Sequence, residues 1–306
     1  MKTLKIAGVL LATVVVGLHA ADRREITFAD ARIFPESLTS TKDGTLYFGS
    51  LGQDAVYRAT PNESKAVVFI PPKSNGLQSV LGVFADEKAG TLWVCASTTG
   101  GRGAPVVGET ALKAFNLKTG AFKASYAFPN NGLCNDVAVA KDGTIYVADT
   151  AQGRVLRLKK GATALDVWAS DPVVLATVDG LAILDDGALY ANSVGQGTLM
   201  RIPIKTDGSA GAIAKLEPSR PLQGPDGMRT VGKMTLLLVE GGRLDEVTIR
   251  GDKAEVKVIR EGMPGITAVT LTGKTAYVAE ARLNERNTTT EIAPFRAIGI
   301  PYPAQK

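Results

Sequence analysis

Histidine is all but missing from this chain of 306 residues. The single one, His19, lies inside an amino-terminal segment that reads as removable. Lys2 and Lys5 precede an uncharged stretch from Ile6 to Leu18, and Leu18-His19-Ala20-Ala21 then gives way to the charged Asp22-Arg23-Arg24. Charged, apolar and small-residue regions in that order are a secretory signal, and the apolar run is short for a bilayer span, so an uncleaved anchor is the weaker alternative. The expectation is a signal peptide over 1–20, a single mature domain over 21–306 and a secreted or periplasmic location. A mature chain without imidazole excludes Ser-His-Asp and Cys-His catalysis and His-ligated zinc or copper. Acid–base work is left to carboxylates, Lys, Tyr or water on a metal.

Other absences narrow the class further. No long apolar run follows the amino terminus, which excludes membrane insertion after signal cleavage. The formal charge of +5 falls to +3 once Lys2 and Lys5 leave, and the positive residues are scattered, so nucleic acid is not an expected partner. There are two cysteines, Cys95 and Cys134, too few for a disulfide framework. Two separate buried thiols are the favoured reading, with a disulfide open to an exported protein. Aromatics are modest at 6%, but 45% hydrophobic residues suffice for a continuous core.

What is present in quantity is repetition. A short apolar strand, a tight turn and a second strand recur six times, with turn glycines at 44, 90, 143, 187, 232 and 273. That period of about 45 residues lies in the range of propeller blades. The strands alternate, as in Thr144-Ile145-Tyr146-Val147-Ala148, and the turns are largely of Asp-Gly type. Two further strands fit each gap, for example Gly153–Leu158 and Leu165–Trp168. Four strands in each of six repeats predict an all-β, six-bladed β-propeller with a central divalent metal site. The strand-like Pro294–Pro301 and Glu25–Phe28 are expected to close the ring by completing one blade.

At one register of the repeats stand Glu36, Gly82, Asn135, Asp179, Asp226 and Gly265. First strands line the axis of a propeller, so four oxygen-bearing side chains converge there. Three carboxylates so placed repel one another unless a cation sits among them. All-oxygen donors favour one divalent ion, Ca2+ first and Mg2+ or Mn2+ after it. Asp43, Asp142 and Asp186 fall in the turns at the opposite face and carry local backbone bonds only. Ser97–Pro105 lengthens the gap between the second and third repeats and is expected to act as a lid, with Arg102 reaching substrate.

Glu36 in Pro35-Glu36-Ser37, Asn135 in Cys134-Asn135-Asp136-Val137, Asp179 in Asp179-Gly180-Leu181-Ala182 and Asp226 in Pro225-Asp226-Gly227-Met228 make the chain resemble the regucalcin/gluconolactonase propellers over most of its mature length. The resemblance implies that these four residues hold one divalent ion, and that a lactone is opened by water with Asp226 as base. Leu133 and Cys134 occupy the approach to Asn135, and sugar-lactone members carry an arginine at the position of Leu133. The departure implies a less hydroxylated lactone. The alternative is a non-catalytic exported propeller that binds a ligand or protein partner around a structural calcium ion. A monomer is expected.

Overall fold

Alternation of buried and exposed side chains sets the strands, and the turns between them decide how they stack. The computed structural model describes residues 25–101, 104–288 and 294–302. The expected signal peptide, 1–20, and Arg102 lie outside the described residues. Apart from two short 3₁₀ turns, all regular structure there is β, and no helix is long and apolar enough to cross a membrane.

The inner strands are Pro35–Ser40, Val80–Asp86, Cys134–Val139, Val178–Ile183, Pro225–Gly232 and Ile266–Thr272. Each pairs antiparallel with the strand that follows it and leads an outward run of sheet. In space each inner strand packs against the next, and Ile266–Thr272 returns to Pro35–Ser40, so the six form a closed ring about an axis. The strands expected at Gly153–Leu158 and Leu165–Trp168 are observed as Arg154–Leu158 and Asp166–Ser170.

Closure follows the expectation. Glu25–Phe28 pairs antiparallel with Arg296–Pro301, which pairs in turn with Thr275–Glu280, so one sheet is built from both ends of the chain. Glu25–Phe28 also runs parallel to Lys65–Ile70, joining that sheet to the first. Phe34 and Phe295 meet edge to face at 4.8 Å across the seam.

The turn aspartates have the local role expected of them. Asp43 Oδ1 accepts from Thr45 N at 2.9 Å, Asp142 Oδ1 from Thr144 N at 2.9 Å and Asp186 Oδ1 from Ala188 N at 3.1 Å, each fixing a glycine turn at positive φ. The fifth repeat departs from the pattern. Gly232 is still within its strand, facing Thr235, and the turn is Lys233-Met234.

The cysteines correct the reading of separate thiols. Cys95, on Thr91–Ala96, is disulfide-bonded to Cys134, the first residue of the third inner strand, and both are fully buried. The bond joins two neighbouring sheets. Ser97–Pro105 contributes to a two-stranded hairpin in which Thr99–Gly101 pairs with Ala104–Val107.

Candidate functional site

Every inner strand breaks register with its partner at one level. The ladder skips Glu36 in the first, Leu81-Gly82 in the second, Asn135-Asp136 in the third, Asp179-Gly180 in the fourth, Asp226-Gly227 in the fifth and Thr267 in the sixth. A bulge frees a residue from pairing and re-aims its side chain. All four predicted ligands are bulge residues. The equivalents in the other two strands are Leu81 and Thr267, which corrects the expected Gly82 and Gly265. Gly82 instead takes the second bulge position. A Cβ there would lie 2.0 Å from Asn135 O, and one on Gly180 would lie 2.5 Å from Asp226 O, so glycine lets neighbouring sheets close on the axis.

The structure brings Glu36, Asn135, Asp179 and Asp226 around a single cavity of about 10 Å3, room for one water or one small ion. Glu36, Asn135 and Asp179 are buried, whereas Asp226 keeps part of its surface open. Asn135 Nδ2 donates to Asp179 Oδ2 at 2.8 Å and to Thr150 Oγ1 at 3.0 Å, and the Asp179 and Asp226 carboxyls are hydrogen-bonded to each other. Asn192 Nδ2 donates to Asp226 O at 2.6 Å and fixes that bulge from outside.

Burial and mutual repulsion govern the protonation of these groups. Burial, then the neighbouring Asp136 charge, pushes Asp179 up to about 7. Burial followed by the Asp179 and Glu36 charges holds Asp226 well above the usual carboxylate range, and burial followed by Asp179 and Asp136 does the same for Glu36. Hydrogen bonding within the cluster is the metal-free solution to that repulsion. With the carboxyls turned to one another, no set of three or more His, Cys, Asp or Glu among the described residues is already laid out as a metal-binding group.

The residues nevertheless suit a hard cation. Glu36 Oε2 is buried without a hydrogen-bond partner, and with its neighbours Asp179, Asp226 and Asn135 it makes a set of three carboxylates and one amide. Glu36, Asn135, Asp179 and Asp226 would hold the ion.

Two residues of the cavity escaped the sequence reading. Asp136, next to Asn135 in the same bulge, accepts from Leu181 N at 2.9 Å, and Arg229 binds its carboxylate from the fifth inner strand. The signal available was the Asn-Asp pair itself, whose second member stands where other bulges carry glycine.

No protein-family model and no curated protein matches the chain. Solved structures do. A gluconolactonase from Xanthomonas campestris is 18% identical, with 92% of this chain and 91% of that one covered at a TM-score of 0.64. A luciferin-regenerating enzyme is 15% identical, covering 92% and 97% at 0.64. A catalytically inactive histidine-to-alanine variant of virginiamycin B lyase from Staphylococcus aureus, with quinupristin, is 12% identical, covering 90% and 98% at 0.58. The fold is thus a β-propeller, and the resemblance to gluconolactonase-type propellers extends to its three-dimensional form.

Proposed function

We propose that this six-bladed propeller is an exported, metal-dependent hydrolase that opens a lactone. The observation that carries the reading is the convergence of Glu36, Asn135, Asp179 and Asp226, from four separate bulges, on one cavity in which Glu36 Oε2 has no partner. A bound divalent ion, calcium by preference with magnesium or manganese as alternatives, supplies polarisation of the ester carbonyl and acidification of water. Asp226 is the proton acceptor by the resemblance to the gluconolactonase propellers, and its carboxyl is bonded to Asp179. A bound cation would offset the burial and repulsion that raise Asp226 and so favour the ionised form a base requires, with Asp179 holding the carboxyl in place.

A lyase reading has less support. The related lyase variant is inactive without one histidine, whereas this chain has none beyond His19. The buried Cys95–Cys134 disulfide supports an oxidising compartment and hence export. Leu133, which packs on the core beside Cys134, offers no hydrogen bond to a substrate hydroxyl, and substrates with few hydroxyls are the expected preference, each unpaired one costing about 1–3 kcal/mol.

Calorimetry of chelator-treated protein with calcium, followed by hydrolysis of gluconolactone and of an alkyl-substituted δ-lactone, tests the reading. One site per chain and faster opening of the alkyl lactone are expected. Metal bound without turnover of either substrate would leave a binding propeller with a structural ion, and no metal bound would remove the reading altogether.

A further inference from the structure

At the other face of the ring, away from the bulges, a cavity of about 830 Å3 opens between the second and third sheets. Its volume lies in the range of about 300–1,000 Å3 typical of small-molecule sites. Phe84, Trp93, Tyr126, Ile145 and Leu158 supply an apolar wall, with the Trp93 and Tyr126 rings 6.1 Å apart. The turn segments around Lys42, Lys88, Lys141 and Lys159-Lys160 form its rim.

The indole of Trp93 is part of the aromatic wall of this cavity. Trp93 is only 7% exposed, and its Nε1–H has no acceptor. Trp168, comparably buried, donates its Nε1–H to Gly208 O at 2.9 Å. The Trp93 Nε1–H is itself closed off, so the cavity meets Trp93 through its ring and not through its donor.

Charge at the rim is positive on balance, five lysines (42, 88, 141, 159 and 160) against three carboxylates (Asp86, Glu87 and Asp142). Asp86 Oδ1 accepts from Ala89 N, Glu87 Oε1 from Lys42 N and Asp142 Oδ1 from Thr144 N, so the three carboxylates are engaged locally. Lys88 Nζ donates to Lys141 O, and Lys141 pairs with Asp185. Lys42, Lys159 and Lys160 make no side-chain ion pair among the described residues.

We propose that this cavity is a second binding site, separate from the metal centre, which takes a small amphipathic anion. A flat apolar body lies against Phe84, Trp93 and Tyr126, and a carboxylate or sulfonate meets the lysines at 159 and 160. The site needs no metal and involves no residue of the axial cluster.

The test uses 2-naphthoate and its neutral counterpart 2-naphthamide as probes, read on the two indole N–H signals in 15N–1H spectra. The Trp93→Phe or Trp168→Phe spectrum assigns the pair. Saturable binding of naphthoate is expected to move the Trp93 signal and leave Trp168 in place, with affinity about tenfold above that of naphthamide, a difference of one ordinary charge contact. Lys159→Ala combined with Lys160→Ala should erase that preference, and Asp226→Asn should not alter it. No saturation, a shift at Trp168 alone, equal affinity for the two probes, or loss of binding in Asp226→Asn would overturn the proposal.

Discussion

Arg229 grips Asp136 with both terminal nitrogens, Nη1 to Oδ2 at 2.8 Å and Nη2 to Oδ1 at 3.1 Å, across 93 residues of sequence. The pair lines the same cavity as the four proposed ligands, and Arg229 is the one cation there among the described residues. Its charge draws the Glu36 carboxyl back toward ionisation, against burial and the neighbouring carboxylates. Arg229 therefore neutralises Asp136 and leaves the remaining acids to share whatever cation enters.

Breaking that pair should be severe. Arg229→Met strands a buried carboxylate, and a loss of about 3–5 kcal/mol in denaturant unfolding is expected. Asp136→Asn combined with Arg229→Met should recover a large part of it. Equal losses in the single and double variants would show that the pair is not coupled in this way.

The metal-free protein should lose stability between about pH 4 and pH 7. Asp179 releases its proton near 4 when unfolded and near 7 when folded, so within that window the folded state holds the extra proton and rising pH favours unfolding. Fully expressed, this amounts to about 4 kcal/mol at most. Asp245, pushed up to about 6 chiefly by burial, adds in the same direction. Thermal unfolding in chelator should show the decline, and Asp179→Asn should flatten it. Calcium at a hundredfold excess over Kd should return about 2.7 kcal/mol near neutral pH.

Two Asp-Gly residues provide a contrast between the faces. Asp226→Ala should abolish lactone opening, whereas Asp142→Ala, which removes a turn acceptor for Thr144 N, should leave it near the parental rate and cost about 1 kcal/mol of stability. Comparable kinetic losses in the two variants would refute the assignment of the bulge face as the reactive one.

Replacing both cysteines with alanine should lower stability by up to about 4 kcal/mol, the chain-entropy value for a loop closed over 39 residues. Unfolding with and without reductant measures it. An unchanged midpoint in both experiments would mean that the two sheets are held together by packing alone.

The period of the turn glycines and the alternation of Thr144–Ala148 were enough to read the ring from sequence, because both are local properties of strands. Glu36, Asn135, Asp179 and Asp226 were legible for the same reason, each sitting just inside a strand start. Leu81 and Thr267 were not, because a bulge shifts the register by amounts that the residues themselves do not announce. Arg229 was hidden by distance, since its partner lies two inner strands away around the axis. Pairing of Cys95 with Cys134 depended on sheet adjacency, which two cysteines without a framework cannot reveal.

Because Glu25–Phe28 and Arg296–Pro301 share a single sheet, the earliest described strand waits for the latest before its antiparallel edge is satisfied. A chain stopped short of Arg296 would keep Thr275–Glu280 bare along one side, an edge able to recruit strands from other molecules. Biogenesis therefore has a vulnerable interval that lasts until Arg296–Pro301 has been made. Arg296–Pro301 is the latch that closes both edges at once.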